Sequence, residues 1–344
     1  MKIAVLALLG ALFPFAASAA IDPVPVAQSF AKDFAVPRFQ AVASAAHAQA
    51  DAWSSFCADR RHGNIETLKA AYNAVADAWA RIEFVRIGPA AIALRVERFN
   101  WWLDRTDATG KALSAMLADP APPAPEKLAA GSVAGQGLPV IERLLYDKAS
   151  AADLKSKAGA KRCAIGAAVA QGQAVIADAI VTDWTSPDGA LAALMANTRW
   201  QVAFADAKEA ASVELTDLAA GLEGLKDLKV AMLFHDVKNA KAPRLAEAVR
   251  SGRTLTDIRL NLAALREGLA PFVAGASAAD KATLDKAFDD AAAALDEFEH
   301  ASDKDRMNTV VNTLAAFTVL SQAAIATLPT ATGLNLGFNN LDGD

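Results

Sequence analysis

The sequence predicts an all-α protein built as two helical-bundle domains. Apolar residues recur at alternating steps of three and four along several long segments, the stripe of a helix packed lengthwise on others. Alanine dominates and β-branched alternation is scarce, while glycine and proline gather in a few places that punctuate the helices. The first stripe is Ile65, Leu68, Tyr72, Val75, Trp79 and Ile82. The segment 119–125, DPAPPAP, cannot continue a helix and reads as an extended connector. A helix then starts near Pro139, because a proline in the first turn loses no hydrogen bond. A break at 185–189, TSPDG, marks the domain boundary, giving domains over 21–185 and 186–344. In the second half the stripes are Leu215, Leu218, Leu222 and Leu225; then Leu255, Ile258, Leu262, Leu265, Leu269 and Phe272; then Leu284, Phe288, Ala291, Leu295 and Phe298. The last helix, over 307–328, is apolar on most sides and is expected at the centre. Each half carries one turn into a helix, GQGLPVIE and RSGRTLTDIR, which leaves internal duplication open.

Residues 1–20 combine a lysine, an apolar run and an Ala17-Ser18-Ala19 cleavage site, which together read as a secretory signal peptide. The apolar run is too short for a comfortable membrane span, and no cysteine stands at the cleavage site to carry a lipid. A soluble periplasmic protein is expected. The net charge of −5 and the lack of any basic run speak against nucleic acid as a partner. The chain has two cysteines, Cys57 and Cys163. In an oxidising compartment they read most simply as one disulfide stapling two helices, with two buried thiols as the alternative.

Glu142 falls on the same helical face as Leu138 and Leu145, and a carboxylate that faces inward needs a partner. Glu83 and Arg86 flank the seam of Trp79 and Ile82, although an ordinary ion pair at a helix end accounts for the same spacing. Arg98, Trp101, Trp102 and Asp104 form an aromatic and charged cluster. Two adjacent tryptophans on a helix cannot face one core, so one belongs at a domain contact or cleft edge. Thr254 and Asp257 have the spacing of a capping box, which leaves Arg253 free to meet an anion or the region of Glu142. None of the four histidines, His47, His62, His235 and His300, makes the paired spacing of a zinc-protease helix. His47 with Asp51 could share a metal on one helix face, though a solvated histidine is the commoner arrangement. No nucleophile elbow, phosphate loop or dinucleotide fingerprint is present in the sequence.

The stretch 132–147, SVAGQGLPVIERLLYD, resembles the signature of imelysin-like proteins, Gly-x-His-x-x-Glu, read here from Gly137 to Glu142. Glycine and glutamate match, and Pro139, which has no ligating atom, stands in place of the histidine. AWARIEFVRIGP, KAPRLAEAVRSGRTLTDIRLNL and the tail LGFNNLDGD extend the likeness over most of the mature chain. The resemblance implies an all-helical periplasmic protein with its site at the domain interface, in a family associated with iron uptake and named for a metallopeptidase. It implies Glu142 as the central ligand and metal acceptor, with Glu83, Arg86, Gln136, Arg253 and Trp102 lining the cleft. Glu83 opposite Glu142 would form an acidic pair suited to iron or another divalent ion, with Arg86 neutralising one of the two. The implied function is non-catalytic handling of a metal ion or small ligand, passed to a membrane transport partner. A zinc-dependent peptidase, which wants about three protein ligands, and an envelope protein that binds partners through its helical faces are the alternatives.

Overall fold

The computed structural model describes residues 21–121, 124–148, 150–157 and 159–337. The expected signal peptide, part of the connector and residues 338–344 of the tail lie outside the described residues. Among the described residues every extended element is helical, and the one β pairing is an isolated bridge between Trp200 and Phe204. The protein is all-α.

The chain enters through α1 (Pro23–Ser29), where the Asp22 carboxylate accepts the Val24 N–H at 3.1 Å and proline fills the first turn. A π-helical segment (Phe30–Ala35) leads into α2 (Val36–Ala58). In α3 (Ile65–Ala80), capped by the Asn64 side chain, the buried residues include Ile65, Leu68, Tyr72, Val75 and Trp79, the predicted stripe. A 3-10 segment (Gly88–Leu94), α4 (Arg95–Phe99), α5 (Ala108–Ala118) and α6 (Pro125–Ala129) are short pieces leading to α7 (Gly137–Tyr146). Next come α8 (Ser150–Lys155), the long α9 (Gly159–Thr185), α10 (Ala190–Met195) and α11 (Ala207–Gly224). A second π-helical segment (Leu225–Val230) runs into α12 (Ala231–Lys238). The chain closes with α13 (Thr254–Leu269), α14 (Ala278–Glu299) and α15 (Arg306–Thr332).

Two helix pairs frame the molecule. In the first, α2 packs along α9, joined by the disulfide Cys57–Cys163 and by a buried hydrogen bond of 2.8 Å from Gln49 to Gln173. Their close approach needs a glycine, since a Cβ on Gly166 would collide with the Trp53 indole. In the second, α14 packs on α15, and the Thr313 hydroxyl donates to the Ala294 carbonyl at 3.0 Å. Between them α13 touches α3, α11 and α14. The midpoint break does not divide the core: Phe30, Trp53, Trp79, Leu218, Leu265 and Phe317 belong to one contiguous buried cluster. Helix α1, from the first half, packs on α11 from the second.

One expectation is corrected by the packing. The central helix is α9 rather than the last one. In the most apolar stretch of α15 33% of the residues are buried, against 56% in the most apolar stretch of the helical run 159–195 that contains α9, and Val311, Val319 and Ile325 of α15 face outward. An apolar sequence without clear sidedness does not say which neighbour covers it. His47 is exposed, the commoner arrangement, and meets Asp178 on α9 at 2.9 Å rather than Asp51, so that pair bridges two helices.

Glu214 on α11 is wholly buried, and neither carboxyl oxygen has a hydrogen-bond partner among the described residues. Burial, reinforced by nearby Asp217, holds its carboxyl well above the ordinary value of 4.5. The folded chain thus keeps a proton that the unfolded chain loses above about pH 4.5, so stability from this group is full at low pH and falls as pH rises. Glu214→Gln is expected to lose less Tm than the wild type between pH 5 and 8 in thermal melts; an equal loss would show that Glu214 is charged and compensated. The disulfide closes a sequence separation of 106 residues. Reduction is expected to cost about 2–4 kcal/mol, read as a lower urea midpoint with reductant present.

Candidate functional site

Helix α7 begins at Gly137, two residues earlier than the proline suggested. Gly137 adopts φ 72°, and a Cβ there would run into the Phe99 carbonyl, so glycine alone lets the helix start this close to the end of α4. Gln136 braces that start. It is buried, accepts a hydrogen bond from Arg98 Nε at 3.2 Å and donates to the carbonyls of Gly131 and Ser132. One turn into α7, the buried Glu142 finds its partner across the molecule: its Oε1 accepts the Ser251 N–H at 2.9 Å and the Ser251 hydroxyl at 2.7 Å. Burial and the charge of Glu142 push the phenol of neighbouring Tyr72 well above its usual range.

Just past the end of α3, Glu83 joins a polar node that nothing in the sequence pattern announced. The Lys229 ammonium, from the π-helical segment before α12, bonds Glu83, lies 2.7 Å from Glu247 and donates to Asn261 Oδ1 at 2.6 Å. Asn261 in turn donates to Glu83 at 2.8 Å and to the Ala80 carbonyl. Asn100 donates to Glu247 at 2.6 Å. Burial alone would raise Glu83, but the charge and hydrogen bond of Lys229, with Asn261 and Asn100, hold it below the ordinary carboxylate value. In Glu247 burial and repulsion from Glu83 prevail over Lys229, and its carboxyl is raised. Burial would lower Lys229, yet the two carboxylates raise it, so it stays an ammonium. Asp257 beside this node is pushed up to about 7, chiefly by burial and then by Glu247, against the opposing pull of Arg253.

Above the node lies a cavity of about 500 Å³. Helices α3 and α7 contribute Tyr72, Trp79, Leu138, Glu142 and Arg143, the loops 100–107 and 243–250 form most of the remaining wall, and Glu83 and Asp257 reach it from the node. Trp101 and Trp102 both line it, which corrects the expectation that only one could face a shared space. They lie on irregular backbone rather than a helix, where adjacent side chains need not diverge. Lys229 sits 5.8 Å from the Trp102 ring centre, at cation–π range.

The structure therefore brings Glu142, Glu83 and Trp102 to one cavity. Arg253 and Gln136 stand behind the wall as supports. Arg253 is buried between Asp77 and Asp257, with 2.7 Å to the latter, instead of being free for a ligand. Thr254 and Asp257 form no capping box: the Thr254 hydroxyl donates to the Glu247 carbonyl, and Asp257 pairs with Arg253. Arg86 is elsewhere. Its backbone N–H donates to Asp217 at 2.6 Å, and its exposed guanidinium pairs with Glu97 at 3.2 Å, so it neutralises neither Glu83 nor Glu142. The residues missed from sequence are Lys229, Glu247, Asn261 and Asn100. Asn261 left a trace, as a polar residue beside Leu262 and Ile258 on a predicted seam; Lys229 looked like any lysine in LKDLKVAML.

The model of the imelysin family (peptidase M75) matches residues 35–333. Among solved structures the chain is similar to an imelysin-like protein from Psychrobacter arcticum 273-4, with a TM-score of 0.75 and 18% identity, over 93% of this chain and 99% of that one. It is also similar to a protein from Parabacteroides distasonis ATCC 8503 that bears the name iron-regulated protein A precursor. There the TM-score is 0.71 and the identity 16%, over 90% of this chain and 95% of that one. No curated protein matches the sequence significantly.

Replacing Lys229 by methionine would leave the largely buried Glu83 and Glu247 without a counter-charge. The expected loss is roughly 3–5 kcal/mol in urea unfolding, and adding Glu83→Gln and Glu247→Gln to Lys229→Met should recover most of it.

Proposed function

The chain belongs to the imelysin family, and on that premise we propose that it is a non-catalytic binding protein of the cell envelope whose cavity receives a metal-bearing cargo. The observation that carries this reading is the convergence of Glu142, three tryptophans and the node of Lys229 on one cavity of about 500 Å³, open to solvent on one side and the size of a small-molecule site. Iron is the metal in view, through the family and through the name of the Parabacteroides distasonis neighbour. In this reading residues 1–20 direct export, and a membrane transport partner takes up the cargo.

The donor set does not suit a bare ion held by the protein alone. Among the described residues no group of three or more His, Cys, Asp or Glu side chains is arranged to hold a metal. Pro139 cannot ligate, Glu142 Oε1 already accepts two hydrogen bonds from Ser251, and Glu83 and Glu247 are engaged by Lys229. A peptidase of the zinc type asks for about three protein ligands around an activated water, which these residues do not supply. A cargo that arrives with its own ligands suits the cavity better.

The test is the metal and small-molecule content of protein purified from the periplasm, beside Glu142→Gln, with circular dichroism confirming that both are folded. Wild-type protein is expected to retain cargo at near-stoichiometric level, and the variant to lose most of it. A folded variant with undiminished cargo would remove Glu142 from the site. Proteolysis abolished both by chelator and by Glu142→Gln would replace this reading with the peptidase.

A further inference from the structure

Most of the formal charges that line the cavity have partners in the wall. Glu83 and Glu247 share Lys229, Asp257 pairs with Arg253, and Asp107 pairs with Arg143. Asp104 accepts the N–H groups of Ala108 and Thr109 at 2.7 and 2.8 Å, and Arg250 meets Asp147 at 2.7 Å. Glu142 is bonded to Ser251. Two lining side chains remain: Arg105 and Arg244 are exposed, and neither guanidinium has a carboxylate partner among the described residues.

These two arginines stand on braced backbone. The loop of Arg105 places Leu103 and Asp107 at φ 66° and 56°, and the loop of Arg244 places Ala248 at φ 49°. All three of these residues line the cavity. Left-handed backbone at residues with a side chain persists where the surroundings over-determine it, and such positions gather at ligand sites. The surroundings do so here. Asp104 ties the first loop to the start of α5, while Asp236 accepts the N–H groups of Leu245 and Ala246 at 2.7 and 3.0 Å, and Arg253 N–H donates to the Ala248 carbonyl at 3.0 Å. Rigid loops that present unpaired guanidiniums beside the indoles of Trp101 and Trp102 suit a planar anion with an organic body, since the guanidinium fork matches a carboxylate.

Resting on the reading of the cavity as the binding site, we propose that its ligand is an organic polycarboxylate, free or wrapped around a metal ion, whose carboxylates are held by Arg105 and Arg244. An anionic chelate also supplies the metal donors that the wall lacks.

The experiment is titration of the mature chain, followed by tryptophan fluorescence and calorimetry, with citrate, with ferric citrate, with ferrous ion alone and with the uncharged triethyl ester of citrate. Binding of citrate would identify the free acid as sufficient, and binding of ferric citrate alone would identify the chelate; either supports the proposal if the ester does not bind. Arg105→Gln combined with Arg244→Gln is expected to weaken binding roughly 100-fold without changing the fold, the effect of losing two charge-assisted contacts, and the paired lysine substitutions to retain part of it. No binding of citrate or ferric citrate, or binding that the arginine variants leave unchanged, overturns the proposal. Ferrous ion bound stoichiometrically, lost in Glu142→Gln and indifferent to the arginines, would overturn it while keeping the cavity as the site. If Glu142→Gln and the arginine variants alike leave every probe's binding unchanged, both readings fail.

Discussion

The arrangement around the cavity depends on one buried ammonium. Lys229 stands where Glu83 from the end of α3, Glu247 from the loop before α13 and Asn261 from α13 itself converge. Moving these charges out of water costs several kcal/mol each, so the elements that carry them hold together as a set or the site does not form. Such a cluster is weak evidence for net stability. Its contribution is geometric: it fixes the distance between segments well over a hundred residues apart in sequence and makes a floor for the cavity. Glu142 with Ser251 and Arg253 with Asp77 repeat the device at the sides.

That network can be polar because the frame around it is not. The contact of α2 with α9 is close enough to require Gly166 against Trp53 and is locked by the disulfide, while the stacking of Trp79 on Phe99, with ring centres 4.2 Å apart, closes the apolar layer beside the cavity. Gly137 lets α7 start against the Phe99 carbonyl, which sets the height of Glu142 in the wall. Packing thus determines where the charges meet, and the charges determine which loops cover them. The arginines at the mouth belong to those loops, and for that reason they are displayed to solvent rather than folded onto a neighbour.

The family signature takes on a different meaning in this setting. With proline at 139 the start of α7 keeps its backbone role, since proline is at home in a first turn, but the turn has no imidazole to offer. Glu142 is then served by an amide and a hydroxyl from another segment, an arrangement that leaves it a buried acceptor of hydrogen bonds. A cavity whose acids are already occupied and whose free groups are cationic selects for a different cargo than one that offers empty carboxylates.

Helical class, the stripes of α3, α11, α13 and α14, and the inward aim of Glu142 were all written in local periodicity, because a helix's buried face is set by residues three and four apart. The pairing of the two cysteines was legible for a simpler reason, there being two. What the tertiary structure alone decided was which charged groups meet. Glu83 turned to Lys229 rather than to Arg86, its neighbour in sequence, and Arg253 turned to Asp77 and Asp257. It also placed α9 at the centre in preference to α15, two helices of equal apolar promise. Periodicity names the face of a helix that must be covered; the partner that covers it comes from elsewhere in the chain, and only the packed structure supplies that choice.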